Sequence, residues 1–157
     1  MTKIARCIAV AVVLLALKST SASASQSVFV PAPYASAARV IRAADRGNMN
    51  AEAQLAWMYA NGRGVPQDFV KAAKWYYSAA VQGHGWAQYE LGMLYNKGLG
   101  VRRDYILSYV WLNLSASQAV GDDHDFKARM RDSVATKMTP AQMAVAQQMA
   151  IAWYTTR

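Results

Sequence analysis

The sequence repeats itself at a constant spacing of 36 residues. The positions that recur in the first copy are Leu55, Tyr59, Gly62, Gly64, Val65, Asp68, Trp75, Ala80 and Gln82, and they return as Leu91, Tyr95, Gly98, Gly100, Val101, Asp104, Trp111, Ala116 and Gln118. A period in the thirties is typical of helical hairpins that stack, because one such unit cannot bury its apolar face alone. The sequence therefore predicts an all-α fold, an α-solenoid of stacked antiparallel helix pairs.

Each copy reads as two helices joined by a turn. Leu55 and Tyr59 are spaced to lie on one face of a first helix. Gly62 is expected to end that helix with a positive φ, which costs glycine little, and Gly98 holds the same place in the second copy. Asp68 stands where a carboxylate can accept the unpaired N–H groups at the start of the second helix.

A longer motif runs from Ala87 to Asp104 and reads Ala-Gln-x-x-Leu-Gly-x-Leu-Tyr-x-x-Gly-x-Gly-Val-x-x-Asp. This motif resembles the Sel-one-like repeat, a relative of the tetratricopeptide repeat, and the similarity covers roughly residues 36–120. The resemblance implies a right-handed superhelix of two full repeats with capping helices, used for scaffolding or regulatory protein binding. Ala119 stands where the first copy has Gly83, which predicts a longer second helix running to Gly121.

The composition divides the chain into six predicted segments. Residues 1–24 are predicted as a signal peptide, 25–34 as an extended tether, 35–48 as an N-terminal capping half-repeat, 49–84 as repeat one, 85–121 as repeat two and 122–157 as a C-terminal capping helix pair. In the last segment, Thr139, Pro140 and Gln142 have the order of an N-cap, a first-turn proline and a capping-box partner.

The first residues have the pattern of an export signal. Lys3 and Arg6 precede an apolar run, Cys7 to Leu17, and small residues from Ala22 to Ala24 then suit a cleavage site. At about 1.5 Å per residue, the 11-residue run falls well short of the roughly 30 Å hydrocarbon core of a bilayer. We therefore expect cleavage after Ala24 and a periplasmic or secreted protein with no transmembrane anchor after processing.

The charge of the chain bears on its partners. It carries 17 basic and nine acidic residues, and three of the basic residues belong to the predicted signal peptide. Outside the cytosol, a basic excess favours anionic lipids, acidic cell-wall polymers or an acidic protein face over nucleic acid. The mature chain would also lack cysteine and therefore disulfides. The predicted partner is a protein or peptide of the cell envelope, with cell-wall material as the alternative.

The sequence predicts no catalytic residue, cofactor or metal site. No cysteine remains after export, and the serines lack a nucleophile motif with a nearby base. His84 is interpreted as a structural turn residue. His124 lies among three aspartates at consecutive helix-start positions, which splay outward instead of converging on a metal. Cysteine-rich relatives of the family are associated with β-lactam binding or hydrolysis, but their disulfides are absent here.

The two glutamates of the chain do not form a catalytic pair. In the 36-residue register Glu52 aligns with Gln88, whereas Glu90 aligns with Gln54, so the two carboxylates are not equivalent. We interpret both glutamates as members of a solvated polar face.

A binding site is predicted on the first helices, which line the concave face in related arrays. Trp57 is the expected aromatic anchor, because interface energy concentrates in large aromatic side chains. The full set is spaced i, i+3, i+7 in each copy and consists of Gln54, Trp57, Asn61, Glu90, Met93 and Lys97. The alternatives are partial burial of Trp57 against a neighbouring repeat, and a partner on the basic C-terminal helix with Lys127 and Arg131.

Overall fold

The computed structural model describes residues 32–155, so the predicted signal peptide and residues 25–31 of the predicted tether lie outside the described residues. Over that range the chain forms seven helices and no strand: α1 (Ala32–Ala44), α2 (Met49–Asn61), α3 (Phe69–Val81), α4 (Gly85–Lys97), α5 (Tyr105–Ser117), α6 (Gly121–Ala135) and α7 (Pro140–Thr155). From α1 to α6, each helix packs against the next. The predicted all-α helical repeat solenoid is confirmed, and none of these seven helices has the length and apolar character needed to cross a membrane.

The helix ends repeat at the 36-residue spacing. Asp68 caps α3 and accepts the backbone N–H of Lys71 at 3.0 Å, and Asp104 caps α5 in the same way. Gly62 and Gly98 end α2 and α4 with φ values of 65° and 70°. The predicted N-caps and the predicted left-handed glycines are therefore confirmed.

The core between the helix pairs is built largely of alanine, which lets the helices approach closely. One close approach is at Gly92, where an added Cβ would lie 2.8 Å from Cγ of Leu112. The Gly92 carbonyl accepts a buried hydrogen bond of 2.8 Å from the Ser108 hydroxyl. The first copy has Ala56 and Ala72 at these two places. The second copy thus replaces a methyl group by a hydrogen bond between its two helices.

Two helix boundaries differ from the prediction. Helix α1 begins at Ala32, so residues 32–34 form a helical turn where the sequence predicted extended tether. Pro33 fits this first turn because the N–H groups there have no partner within the helix. The predicted extension of the second helix to Gly121 is wrong, since α5 ends at Ser117. Gly121 instead begins α6 with a φ of 58°.

The two C-terminal helices both pack against α5, and among the described helices they make little contact with each other. The capping box that starts α7 is confirmed. The Thr139 N–H donates to Oε1 of Gln142 at 2.9 Å, and the Gln142 N–H donates to the Thr139 hydroxyl at 3.2 Å. On α6, Phe126 is 43% exposed, whereas Val134 is buried.

Candidate functional site

A groove lies between the two repeats and has a volume of about 400 Å³. We call it the inter-repeat groove, and it is lined by side chains of α2, α3 and α4 together with the turns that follow α2 and α4. Five of the six residues predicted for binding line it: Trp57, Asn61, Glu90, Met93 and Lys97. The structure therefore brings together residues from both repeats that lie up to 40 positions apart in the sequence.

A second, smaller cavity of about 220 Å³ adjoins the first at Trp57. It contains the sixth predicted residue, Gln54, together with His84 and Trp86. Trp57 lines both cavities and is 41% exposed, so it is partly buried, as the alternative has it, and still presents part of its surface to both cavities.

Trp86 is a lining residue that sequence reasoning missed. It opens α4 and is 38% exposed. Its equivalent in repeat one is Asn50, which lines the same small cavity. The two repeats differ at this position, with tryptophan in the second and asparagine in the first, and this difference is the signal that could have identified Trp86.

Glu90 is the acidic residue of the inter-repeat groove. Burial raises the pKa of this carboxyl group, and the nearby Lys97 ammonium and a hydrogen bond from the Trp86 side chain act in the opposite direction. The expectation of a solvated glutamate is therefore wrong for Glu90, which is half-buried.

Tyr76 of α3 lies beneath these residues and is almost completely buried. Its ring meets that of Trp86 edge to face, with the centroids 5.6 Å apart. Burial, followed by the nearby charge of Glu90, raises the pKa of the Tyr76 phenol, which therefore stays neutral. Tyr76 thus gives the groove a rigid aromatic floor.

Glu52 does not belong to a solvated face either, since only 3% of it is exposed. Its carboxylate accepts a hydrogen bond of 2.6 Å from the Gln82 side chain. In the second copy, Gln88 accepts from Gln118 at 2.8 Å. These two bonds lie 36 residues apart and tie the start of the first helix to the end of the second in each repeat.

His84 has a structural role at the start of α4. Its Nδ1 accepts the backbone N–H of Ala87 at 3.2 Å, which makes His84 the N-cap. Asn48 is its equivalent in repeat one and caps α2 through an Oδ1 contact of 3.0 Å with the Ala51 N–H. Burial lowers the pKa of His84 below the ordinary value of a histidine.

We expect the histidine cap to make the stability of the fold depend on pH. The asparagine cap of repeat one shows which substitution would remove this dependence. A protonated Nδ1 cannot accept the Ala87 N–H. Because the folded-state pKa of His84 is lowered, its contribution to stability is present above the unfolded pKa of about 6.5 and is lost as the pH falls through the folded pKa. We expect His84→Asn, which copies the cap of repeat one, to lose less stability than wild type between pH 7 and pH 5. Urea unfolding at both pH values measures this, and an identical loss in the two proteins would contradict it.

The other residues that the sequence analysis considered for a metal site or a partner surface make contacts within the chain. His124 Nδ1 lies 2.9 Å from the carbonyl oxygen of Ala116. In the described range no group of three or more histidine, cysteine or acidic side chains is arranged to hold a metal ion. On the alternative surface of α6, Lys127 pairs with Asp123 at 2.8 Å, and Arg131 pairs with Asp132 at 2.8 Å.

Known proteins share the repeat. The Sel1 repeat family matches residues 50–84 and 87–120. A protective antigen present in uropathogenic Escherichia coli strains, with an SLR fold, superposes with a TM-score of 0.70 at 30% identity, over 76% of this chain and 25% of that one. A Sel1 repeat protein from Oxalobacter formigenes gives a TM-score of 0.53 at 30% identity, over 57% of this chain and 36% of that one.

The chain thus spans only about a quarter to a third of the length of these two solved proteins. Comparison with curated proteins gives no match. The two matched segments coincide with the two helix pairs α2–α3 and α4–α5, whose caps and turns recur at 36 residues. The chain therefore carries two Sel1 repeats.

Proposed function

We propose that this protein is an exported, non-catalytic adaptor that binds a peptide segment of another protein in its inter-repeat groove. Sel1 repeat proteins are generally protein-interaction modules. The observation that carries the proposal is the position of Trp57, which is 41% exposed where the two cavities meet. A large aromatic side chain at the centre of a groove, ringed by polar groups, has the anatomy of a binding hot spot.

The rim of the groove is held in place by its own hydrogen bonds. The Asn61 side-chain amide donates to the carbonyl oxygen of Trp57 at 2.8 Å. The Gln67 side-chain amide donates to the carbonyl oxygen of Ala60, also at 2.8 Å. Both contacts fix the last turn of α2 next to the anchor. A rim that is ordered before binding lowers the entropic cost of association and thereby supports a groove that binds without rearrangement.

The location in the cell envelope rests on the amino-terminal sequence. Lys3, Arg6, the apolar run and the small residues at Ala22–Ala24 favour export and cleavage. We expect amino-terminal sequencing of the protein from a periplasmic fraction to begin at Ser25. An intact chain that retains Met1 and sediments with membranes would contradict the export proposal without affecting the groove.

The groove is tested with the full chain and an immobilised library of random dodecapeptides. We expect Trp57→Ala to lower retention of the protein by about tenfold, which corresponds to roughly 1.4 kcal/mol. Phe126→Ala is the matched control, because Phe126 is similarly exposed, at 43%, and lines neither cavity. The circular dichroism spectra of both variants should equal that of wild type.

Two results would overturn the groove as the binding site. One is equal retention of Trp57→Ala and wild type, which would place the partner surface elsewhere. The other is equal loss in Trp57→Ala and Phe126→Ala, which would mean that any exposed aromatic side chain serves. If Trp57→Ala unfolds, Trp57 stabilises the fold, and the anchor is tested instead with two separate variants, Trp57→Phe and Met93→Ala. Unchanged retention of both variants would count against the groove.

A further inference from the structure

The inter-repeat groove contains a carboxylate, that of Glu90, which forms no ion pair with any cation in residues 32–155. The described residues form three ion pairs, whose acidic members are Asp68, Asp123 and Asp132. Glu90 belongs to none of them, although it lines the groove and is half-buried. Because a buried charge costs free energy unless it is paired, such a carboxylate is a favourable contact for a cation that enters from outside.

Lys97 does not take the place of that cation. It lies two helical turns after Glu90 on α4, which is about 10 Å along the helix axis at 1.5 Å per residue. It is exposed and shares no ion pair with Glu90. Its charge acts on Glu90 through the groove without contact. Glu90 and Lys97 both line the cavity.

Aromatic side chains line the groove together with Glu90. The Trp86 side chain acts to lower the pKa of Glu90, which places one indole near the carboxylate. Tyr76 packs edge to face against Trp86 at 5.6 Å and lines the groove with Trp57. The faces of tryptophan and tyrosine attract cations electrostatically, and arginine stacks on such rings as well.

We propose that the inter-repeat groove is a subsite for a lysine or arginine side chain of the partner peptide, whose cationic group pairs with Glu90 and whose aliphatic stem lies against Trp57 and Met93. This proposal rests on the function proposed above and adds to it the chemistry of the partner. It also explains how a basic protein, with 17 basic against nine acidic residues, selects a basic side chain at one point of its surface. A carboxylate set among aromatic rings favours cations over the anions that the overall charge attracts.

The test uses the full chain and two immobilised dodecapeptide libraries. One contains lysine and arginine, and the other is identical except that norleucine and citrulline replace them. We expect wild type to be retained at least tenfold more by the first library. Glu90→Gln should bring retention by the first library down to the level of the second, because glutamine keeps the size of the side chain and loses the charge.

The matched control is Glu52→Gln, the same substitution at the only other glutamate of the chain. Glu52 lines neither of the two cavities at Trp57, so its replacement should leave the preference for the cationic library unchanged. Equal retention of wild type by both libraries would overturn the cation proposal. So would an unchanged preference in Glu90→Gln.

The outcomes separate this proposal from the function on which it rests. If Trp57→Ala loses retention on both libraries while Glu90→Gln behaves as wild type, the groove binds peptides but not through a cation. If Trp57→Ala is retained as well as wild type, the groove itself is not the binding site and both proposals fail. If the wild-type protein is retained by neither library, both proposals fail as well.

Discussion

Replacing Gly100 by alanine is expected to lower the free energy of unfolding by about 3 kcal/mol or more, since a left-handed conformation and a steric clash combine there. Gly100 has a φ of 69°, and an added Cβ would lie 2.0 Å from the carbonyl oxygen of Phe69 and 2.6 Å from the nitrogen of Val70. These neighbours are backbone atoms at the start of α3, so relief of the clash requires the turn after α4 to move away from the first repeat.

Gly121→Ala separates the clash from the conformation. Gly121 has a φ of 58° and nothing within 4 Å of an added Cβ, so alanine there should cost only about 1 kcal/mol. Urea unfolding followed by circular dichroism gives both values. Similar losses at Gly100 and Gly121 would mean that the two repeats do not meet as the structure shows. Since Phe69 and Leu99 line the inter-repeat groove, the same contact holds the groove in shape.

Gln88→Leu is expected to cost about 2 kcal/mol, because it removes two hydrogen bonds that a buried side chain makes. Gln88 is almost completely buried. Its side-chain amide donates to the carbonyl oxygen of Ala80 at 3.1 Å, and its oxygen accepts from Gln118 at 2.8 Å. Leucine has a similar volume but can make neither bond, so the loss measures the hydrogen bonds and not a cavity.

The control for Gln88→Leu is Gln148→Leu, the same change at an exposed position of α7. We expect that control to stay within about 0.5 kcal/mol of wild type, as surface substitutions generally do. Thermal melts of the two variants suffice for the comparison. If Gln88→Leu also stays within that range, the hydrogen bonds of Gln88 do not contribute to the stability of the second repeat.

Local chemistry made much of the fold predictable. An N-cap depends on a carboxylate or amide next to a few neighbouring N–H groups, and Asp68, Asp104 and the Thr139 capping box were all identified from the sequence. Gly62 and Gly98 were identified for the same reason, since the left-handed conformation favours glycine. The constant 36-residue spacing then fixed which helices stack.

Burial of polar residues was harder to predict, because it depends on partners far along the chain. Glu52 looked like part of a solvated face within its own helix, but Gln82, 30 residues later, covers and binds it. The recurrence of this pair as Gln88 and Gln118 was visible in the 36-residue register. A polar pair that recurs at both positions is a signal of a buried hydrogen bond.

The end of α5 was mispredicted from a single missing glycine. Gly83 follows α3 with a φ of 98°, and its equivalent is Ala119, so the helix was expected to continue. The chain instead leaves α5 after Ser117 and moves the left-handed residue to Gly121. The sequence named five residues of the inter-repeat groove because helical spacing places them on one face. It missed Trp86, whose role depends on the contact of α4 with α3.

The most direct test of the inter-repeat groove is a titration of the ¹⁵N-labelled full chain, followed through the indole N–H signals of its five tryptophans. The probe is a dodecapeptide that the wild-type protein retains from the cationic library. We predict that the signals of Trp57 and Trp86 shift on binding. Those of Trp111 and Trp153, which meet edge to face with their ring centroids 5.0 Å apart and line neither cavity, should stay in place. Shifts of Trp111 or Trp153 with Trp57 unchanged would contradict a partner site between the two repeats.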